Sequence, residues 1–290
     1  MLIQVKDLTH IYMSGSPYEH WALNKVNLEV CQGDFLGLIG RTGSGKTTLV
    51  QHLNGLLKPT EGTVLFKGRD LYGEQEVDWR EIRQKVGLVF QYPEEQLFGE
   101  TVFEDVAFGP RKMGLKEEEV ERRVEKALKM VNLDFKEFSG RSPFNLSRGE
   151  MRRAAMAGVL SMEPEILVMD EPSSGLDPRG RKMLLEQVKQ FHRQAGITVI
   201  FVSHNMEEVA QLANRLVVME KGQIVMDGSP AEVFREAEKL MSIGLGIPQV
   251  TRLMLELKNK GKGVRTEVFS VEEARREIVT EFLEKQGEKP

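Results

Sequence analysis

The chain has 290 residues, enough for one large domain or two at about 150 residues each. Its 40 basic residues against 44 acidic ones give a formal charge of −4, which excludes the basic footprint of a general nucleic-acid binder. The lone cysteine, Cys31, excludes an intrachain disulfide and suits a reducing compartment, and no apolar run reaches the roughly 18 residues that a bilayer crossing needs.

Met1 to Tyr12 alternates charged and apolar residues and lacks the apolar region of a signal peptide, so a soluble chain is expected, with any membrane role coming through a partner. Leu2-Ile3-Gln4-Val5 and Val26-Asn27-Leu28-Glu29-Val30 alternate in the way of strands. Between them a loop from Met13 to His20, rich in Ser, Gly and Pro, is flanked by Tyr12 and Trp21. Two readings fit these aromatics: cover for a sheet edge, or a ring on which adenine stacks.

Phe35-Leu36-Gly37-Leu38-Ile39 reads as a buried strand. It runs into Gly40, Arg41, Thr42, Gly43, Ser44, Gly45, Lys46, Thr47 and Thr48, which fit the phosphate-loop pattern. Leu49, Leu53 and Leu56 then recur at helical spacing, giving the strand, loop and helix that this motif requires. Glycines let the backbone fold into a nest of N–H groups around an anion, and the helix adds its positive end. Lys46 is placed to reach the β- and γ-phosphates of a nucleotide, and the Thr47 hydroxyl to ligate Mg2+.

Lys58 to Gly62 breaks the helix and leads into the strand Thr63-Val64-Leu65-Phe66. Val86-Gly87-Leu88-Val89-Phe90 is a further strand that ends at Gln91. Gln91 is either a surface residue or a group reaching the metal or the attacking water, since α/β sheets place ligand groups at strand ends. From Leu115 to Val131 the helical stripe Val120, Val124, Leu128 and Val131 predicts an amphipathic helix with a solvated charged face. Ser147 and Glu150 form a capping box that opens a helix running to about Met162, and this alone accounts for them; a capped N-terminus with a spare hydroxyl and a glycine is also an anion site.

Ile166-Leu167-Val168-Met169 predicts a strand buried on both faces, as in a parallel sheet, followed by Asp170 and Glu171. Two carboxylates there are costly unless they meet a metal or move protons. Asp170 fits a Mg2+ ligand, and Glu171 the group that orients and deprotonates water. Asp177 follows a Ser174-Gly175 turn suited to reach across an interface. Thr198 to Ser203 is another buried strand with His204 at its end; that histidine is structural or contacts a γ-phosphate. Leu216 to Met226 reads as a hairpin, and Ser229, Pro230 and Glu232 open a mostly helical tail reaching Lys285, broken at Gly244 to Pro248 and at Gly261 to Gly263. Ser270 caps the last helix, and Gly287 to Pro290 are expected to fray.

In order, Tyr12, Gly40 to Thr48, Gln91, Leu146 to Glu150, Asp170 and Glu171, Asp177 and His204 resemble the elements of an ATP-binding cassette (ABC) transporter ATPase. They match its aromatic loop, Walker A, glutamine loop, signature, Walker B, D-loop and switch histidine. The likeness spans residues 2 to about 235. It implies an α/β fold, a P-loop cassette with a RecA-like core, an antiparallel β subdomain and an α-helical subdomain, plus a C-terminal helical extension. The expected division is a nucleotide-binding domain over residues 1–230, with the helical subdomain near 93–162, and an extension over 231–290 that helps two ATPases pair. ATP and Mg2+ are the implied cofactors. Tyr12 and Gly40 to Thr48 would bind nucleotide; Thr47, Gln91 and Asp170 would meet the metal; Glu171, His204 and Gln91 would act in catalysis. Two such domains face head to tail in this family, so Leu146, Ser147, Arg148, Gly149, Glu150 and Asp177 would line the partner's nucleotide.

Gln51 to Pro59, Gln91 to Phe98 and Arg141 to Phe144 resemble more narrowly the energy-coupling-factor importers of vitamins and transition metals. That likeness implies a second, paralogous ATPase, an integral-membrane transport subunit and a substrate-binding membrane subunit. It puts the chain peripherally on the cytoplasmic face of the membrane. Tyr92 to Gly109, with Glu94, Glu95, Glu100, Glu104 and Asp105 around apolar Leu97, Phe98, Val102 and Phe103, reads as the docking segment, and the resemblance implies short cytoplasmic partner helices bearing arginine; Glu94, Glu95, Leu97 and Phe98 stand at its centre. Arg148 and Glu150 depart from the Leu-Ser-Gly-Gly-Gln signature while Gly149 is kept, which implies a working or somewhat weakened half-site. The alternative is a soluble cassette ATPase of DNA repair or translation. The first inserts a long coiled coil, and no sustained heptads lie between Lys46 and Ser147; the second carries two cassettes. A small-molecule kinase would leave Leu146 to Glu150 and His204 unexplained.

Overall fold

The computed structural model describes residues 1–74 and 76–283, so the fraying expected at Gly287 to Pro290 lies outside the described residues. Strands β1 (Ile3–Tyr12), β2 (His20–Val30) and β3 (Phe35–Gly40) lead into α1 (Lys46–Leu53). Then come β4 (Glu61–Phe66), β5 (Arg69–Asp70), α2 (Trp79–Lys85) and β6 (Val86–Val89). A helical run follows, α3 (Val102–Lys112), α4 (Glu117–Met130), α5 (Phe135–Phe138) and α6 (Arg148–Leu160). The chain returns through β7 (Ile166–Asp170), α7 (Pro178–Ala195), β8 (Thr198–Val202) and α8 (Met206–Leu212) to the hairpin β9 (Arg215–Glu220) and β10 (Gln223–Gly228). It continues as α9 (Pro230–Arg235), α10 (Ala237–Ser242), α11 (Gln249–Asn259) and α12 (Val271–Leu283).

Two sheets result. The six-stranded one runs β10-β9-β3-β8-β7-β6, parallel except for β10, and the four-stranded antiparallel one runs β2-β1-β4-β5. Every residue of β3, β6, β7 and β8 is buried, as continuous apolar runs covered on both faces require. Alternate residues serve opposite layers. Leu36, Leu38, Val168 and Val202 pack with α1 and the antiparallel sheet, whereas Phe35, Ile39, Met169 and Phe201 pack with α3, α4, α6 and α7. The stripe Val120, Val124 and Leu128 buries α4 on that second layer, with Val131 just past its end.

Tyr12 is the last residue of β1 and flanks the loop that follows. One expectation is corrected. Helix α1 stops at Leu53, and Leu56 lies beyond it, 42% exposed. The stop comes from Gly55, at φ 72, where any Cβ would enter the Trp79 ring. Beyond β10 the first helices of the tail pack on the cassette. Val233, Phe234, Leu240 and Leu245 join the main core, and a separate small core forms only later around Met254, Val264, Val268 and Ala274. Among the described residues no helix is long and apolar enough to cross a membrane.

Candidate active site

The loop between β3 and α1 is held tightly. Gly45 precedes the helix at φ 101, and a Cβ there would stand 2.5 Å from the Ala22 carbonyl oxygen, so only glycine fits. Lys46 is 6% exposed and folds its ammonium back, donating to the carbonyls of Gly40 (2.7 Å) and Arg41 (3.0 Å). Burial pushes its pKa down, and the nearby Glu171 and Asp170 carboxylates oppose that. The Ser44 hydroxyl is buried and without a hydrogen-bond partner among the described residues. Gly40, Arg41 and Thr42 line a cavity of about 400 Å³ together with Glu171, His204 and the turn Gly244 to Gly246.

Asp170 ends β7 beside this loop, 6% exposed, and accepts a 2.8 Å bond from the Thr47 hydroxyl. Burial raises its pKa, Thr47 opposes the shift, and Glu171 adds to it. Thr47 and Asp170 present hard oxygen donors side by side, the donor set that suits Mg2+ alongside phosphate. Glu171 has the left-handed φ of 48, a strain of about 1–3 kcal/mol for a non-glycine residue. Its amide donates to Val202 O (3.0 Å), and its Oε2 lies 3.1 Å from His204 Nδ1. His204 is 68% exposed. Gln91 is exposed two residues past the paired position Val89↔Met169, at the same sheet end as Glu171. Thr42 and Gly43 are exposed and Thr48 is buried, its Oγ1 3.2 Å from the Tyr12 hydroxyl.

Ser147 caps α6 and closes a capping box with Glu150; Leu146 is buried, and Ser147, Arg148 and Gly149 stand at the surface to different degrees. Asp177 caps α7, accepting from Gly180 N (2.7 Å). These residues lie apart from the Gly40 cavity of the same chain and do not line it.

The docking segment needs correction. Glu94 is 8% exposed and does not project beside Glu95; it accepts from Arg152 (2.8 and 2.9 Å) and Arg148 (3.0 Å). Burial would raise its pKa, but these bonds outweigh it and the net shift is downward. Arg148 is therefore turned to Glu94, over the Tyr92 ring. Leu97 and the 65% exposed Phe98 do line a groove of about 460 Å³ with Phe108, but its charged rim is Arg80, Arg83 and Lys112. The one acid there, Asp105, accepts the amides of Phe98 and Gly99 through Oδ1, and its Oδ2 is buried without a hydrogen-bond partner among the described residues.

Sequence reading missed two features of the site. Arg152, 3% exposed, donates to the carbonyls of Pro172 and Ser174 (both 2.9 Å) and so ties α6 to the turn after Glu171. Nothing in the sequence around Arg152, with Arg153 beside it and Arg148 one turn before, set it apart as the buried one. The second is a pair of histidines. His52, fully buried, meets Thr48 O (2.7 Å) through Nδ1 and His10 (3.2 Å) through Nε2, and the His10 ring stacks edge-on to Tyr12 at 4.5 Å. Burial holds the pKa of both down, that of His52 at about 4. The pair is thus neutral and ties Tyr12 to α1.

Residues 23–174 match the family model of the ABC transporter. The chain is 50% identical to the energy-coupling factor transporter ATP-binding protein EcfA2 of Clostridium tetani, over 98% of this chain and 99% of that one. Among solved structures it resembles cbiO1 of Clostridium perfringens, described as part of the ABC transporter complex cbiONQ: TM-score 0.74, 33% identity, 90% of this chain and 97% of that one. It also resembles a dimeric ATP-binding cassette in a post-hydrolysis state, bound to ADP and Pi: TM-score 0.70, 28% identity, 79% of this chain and 98% of that one.

Proposed function

The chain belongs to the ABC transporter family, as an energy-coupling factor ATPase that hydrolyses ATP to drive transport, and from that premise we propose which residues do so and with what partners. The observation that carries the reading is the convergence at one sheet end of Lys46, the Thr47–Asp170 contact and the Glu171–His204 pair. Gly40 to Thr48 wrap the phosphates, and Lys46 leaves its loop carbonyls to meet the β- and γ-phosphate oxygens. Tyr12 carries the adenine. Thr47 and Asp170, with Gln91 nearby, hold Mg2+, which when bound offsets charge on the β- and γ-phosphates. Glu171 orients water and takes its proton, while His204 donates to the γ-phosphate. Leu146 to Glu150 and Asp177 serve the nucleotide held by a second, paralogous ATPase.

The cargo class is vitamins or transition-metal ions, and the chain sits peripherally on the cytoplasmic face of the membrane, with an integral-membrane subunit and a substrate-binding subunit. The groove at Leu97, Phe98 and Phe108 takes a short helix of the integral-membrane subunit by its apolar face. Its basic rim favours acids at the ends of that helix over the arginine expected from the sequence. The extension from residue 231 contributes to pairing of the two ATPases.

Glu171→Gln keeps the shape of the side chain and removes the base, so turnover is expected to fall by about 10²–10⁴-fold with ATP binding retained. Steady-state ATPase and fluorescent-nucleotide binding on the assembled complex measure both. Near-normal turnover sinks the assignment.

A further inference from the structure

Glu208 takes no part in the chemistry above, yet it is 2% exposed. It lies in the first turn of α8, whose cap, Asn205, accepts from the amides of Glu207 (3.0 Å) and Glu208 (3.3 Å). An acid there ordinarily faces water and complements the helix dipole. This one points inward. Its Oε2 accepts the hydroxyls of Ser173 (2.8 Å) and Ser203 (3.0 Å), and its Oε1 faces Arg181 Nε at 3.3 Å.

The three groups it gathers belong to three segments of the site. Ser173 follows Glu171 by two residues, Ser203 immediately precedes His204, and Arg181 stands in the first turn of the helix that Asp177 caps. Glu171 and His204 come from different strand ends, one on strained backbone and the other largely exposed. The backbone bond from Glu171 to Val202 fixes where the strands end. Beyond that point the two turns are joined through the Glu208 carboxylate, while Arg152 grips the first of them from its other side.

We infer that Glu208 is a positioning residue for ATP hydrolysis, one whose single oxygen, shared by Ser173 and Ser203, sets the separation of Glu171 and His204. The inference rests on the roles proposed above for those two residues. Without the shared acceptor, two buried hydroxyls lose the group that takes their protons, Ser203 keeping only the Asn205 amide that donates to it (3.0 Å), and the turns move independently. None of the bonds of Glu208 goes to the phosphate loop, so nucleotide binding is spared.

The test is steady-state ATPase on the full chain in its assembled complex, with nucleotide binding and thermal melting alongside, and Glu171→Gln as control. Glu208→Ala is expected to lower kcat by about 10–100-fold, with KM within about twofold, because small misplacements of reacting groups cost up to about that much. Glu208→Gln is expected to stay within about threefold of the parent, since an amide oxygen can accept both hydroxyl protons. Should Glu208→Ala fail to fold, the double variant Ser173→Ala with Ser203→Ala decides: a fall in kcat at constant KM supports the inference, and parental kcat overturns it. Parental kcat in Glu208→Ala beside an inactive Glu171→Gln overturns the inference and leaves the proposed catalytic base standing. Equal losses in the Ala and Gln variants also overturn it, because charge rather than the shared acceptor would then matter. Turnover retained by Glu171→Gln brings down both.

Discussion

Two helices of this molecule open in the same way. At the start of α6, Glu150 Oε2 accepts from the amide (2.8 Å) and hydroxyl (2.6 Å) of Ser147. At the start of α9, Glu232 Oε2 accepts the same pair from Ser229, at 2.7 and 2.8 Å. The return bonds from the glutamate amides to the serine hydroxyls match as well, at 3.4 and 3.3 Å. What differs is what each helix carries onward. Helix α6 sends Arg152 to the turn after Glu171 and Arg148 to Glu94, whereas α9 starts with Pro230 and buries Val233 and Phe234 in the core. Local chemistry fixes where a helix begins, and the neighbours fix what that beginning is for.

Removing the two hydroxyls gives the sharpest contrast. Ser147→Ala and Ser229→Ala are each expected to cost about 1 kcal/mol of stability, as lost caps do. Only Ser147→Ala is expected to slow ATP turnover, by at least about tenfold, if its hydroxyl meets the phosphate of the paired ATPase. Denaturant melts and ATPase rates check the pair; equal rates would reduce the first box to a cap. Next in size is the charge. Glu150→Gln, in a complex whose other site lacks its own base, is expected to raise turnover several-fold, because two unit charges about 8 Å apart at a dielectric near 20 repel by roughly 2 kcal/mol before screening. Glu232→Gln is expected to leave the rate alone. A fall in Glu150→Gln would make the carboxylate a useful contact with the nucleotide.

The smallest effect is on acid stability, where the boxes are expected to agree. Glu150 is held below the ordinary value of 4.5 by the hydroxyl and then the amide of Ser147, and Glu232 by the amide and then the hydroxyl of Ser229. A depressed carboxylate stabilises the fold above its unfolded pKa, and that contribution fades as pH falls through the folded one. Both Gln variants are therefore expected to lose less melting temperature than the parent below pH 4.5. A gap that instead opens above neutral pH counts against the box in both places.

Much of this was legible because the signals are local. The strand, glycine loop and helix around Lys46 follow one another directly, and the buried runs of β7 and, after Thr198, of β8 carry no polar residue until their ends. Both capping boxes are readable within four residues. Illegible features are those whose cause lies far along the chain. Glu94 looked like one more acid in an exposed segment because the Arg152 that buries it is 58 positions away. Glu208 looked like an ordinary first-turn acid until Ser173, 35 positions earlier, was found beneath it. Similarly, the neutral histidine pair joins positions 42 apart, and alternation within β1 gives no sign of which neighbour His10 will face. For the candidate site, then, residues could be named one by one, while the contacts that hold them in place could not.

The place of β3 in the sheet has a consequence for the order in which the molecule can be built. It pairs with β8 on one side and β9 on the other, and with no strand that precedes them. The antiparallel sheet, by contrast, draws all its strands from residues 3–70. A chain emerging from the ribosome amino end first, at about 5–20 residues per second, can close that sheet early. Meanwhile β3, apolar on both faces, waits without a neighbour until Thr198 to Glu220 have been made, and for that interval it is a surface for chaperones or for aggregation. A nascent chain halted before Thr198 carries the whole stretch Gly40 to Thr48 and has no sheet to hold it.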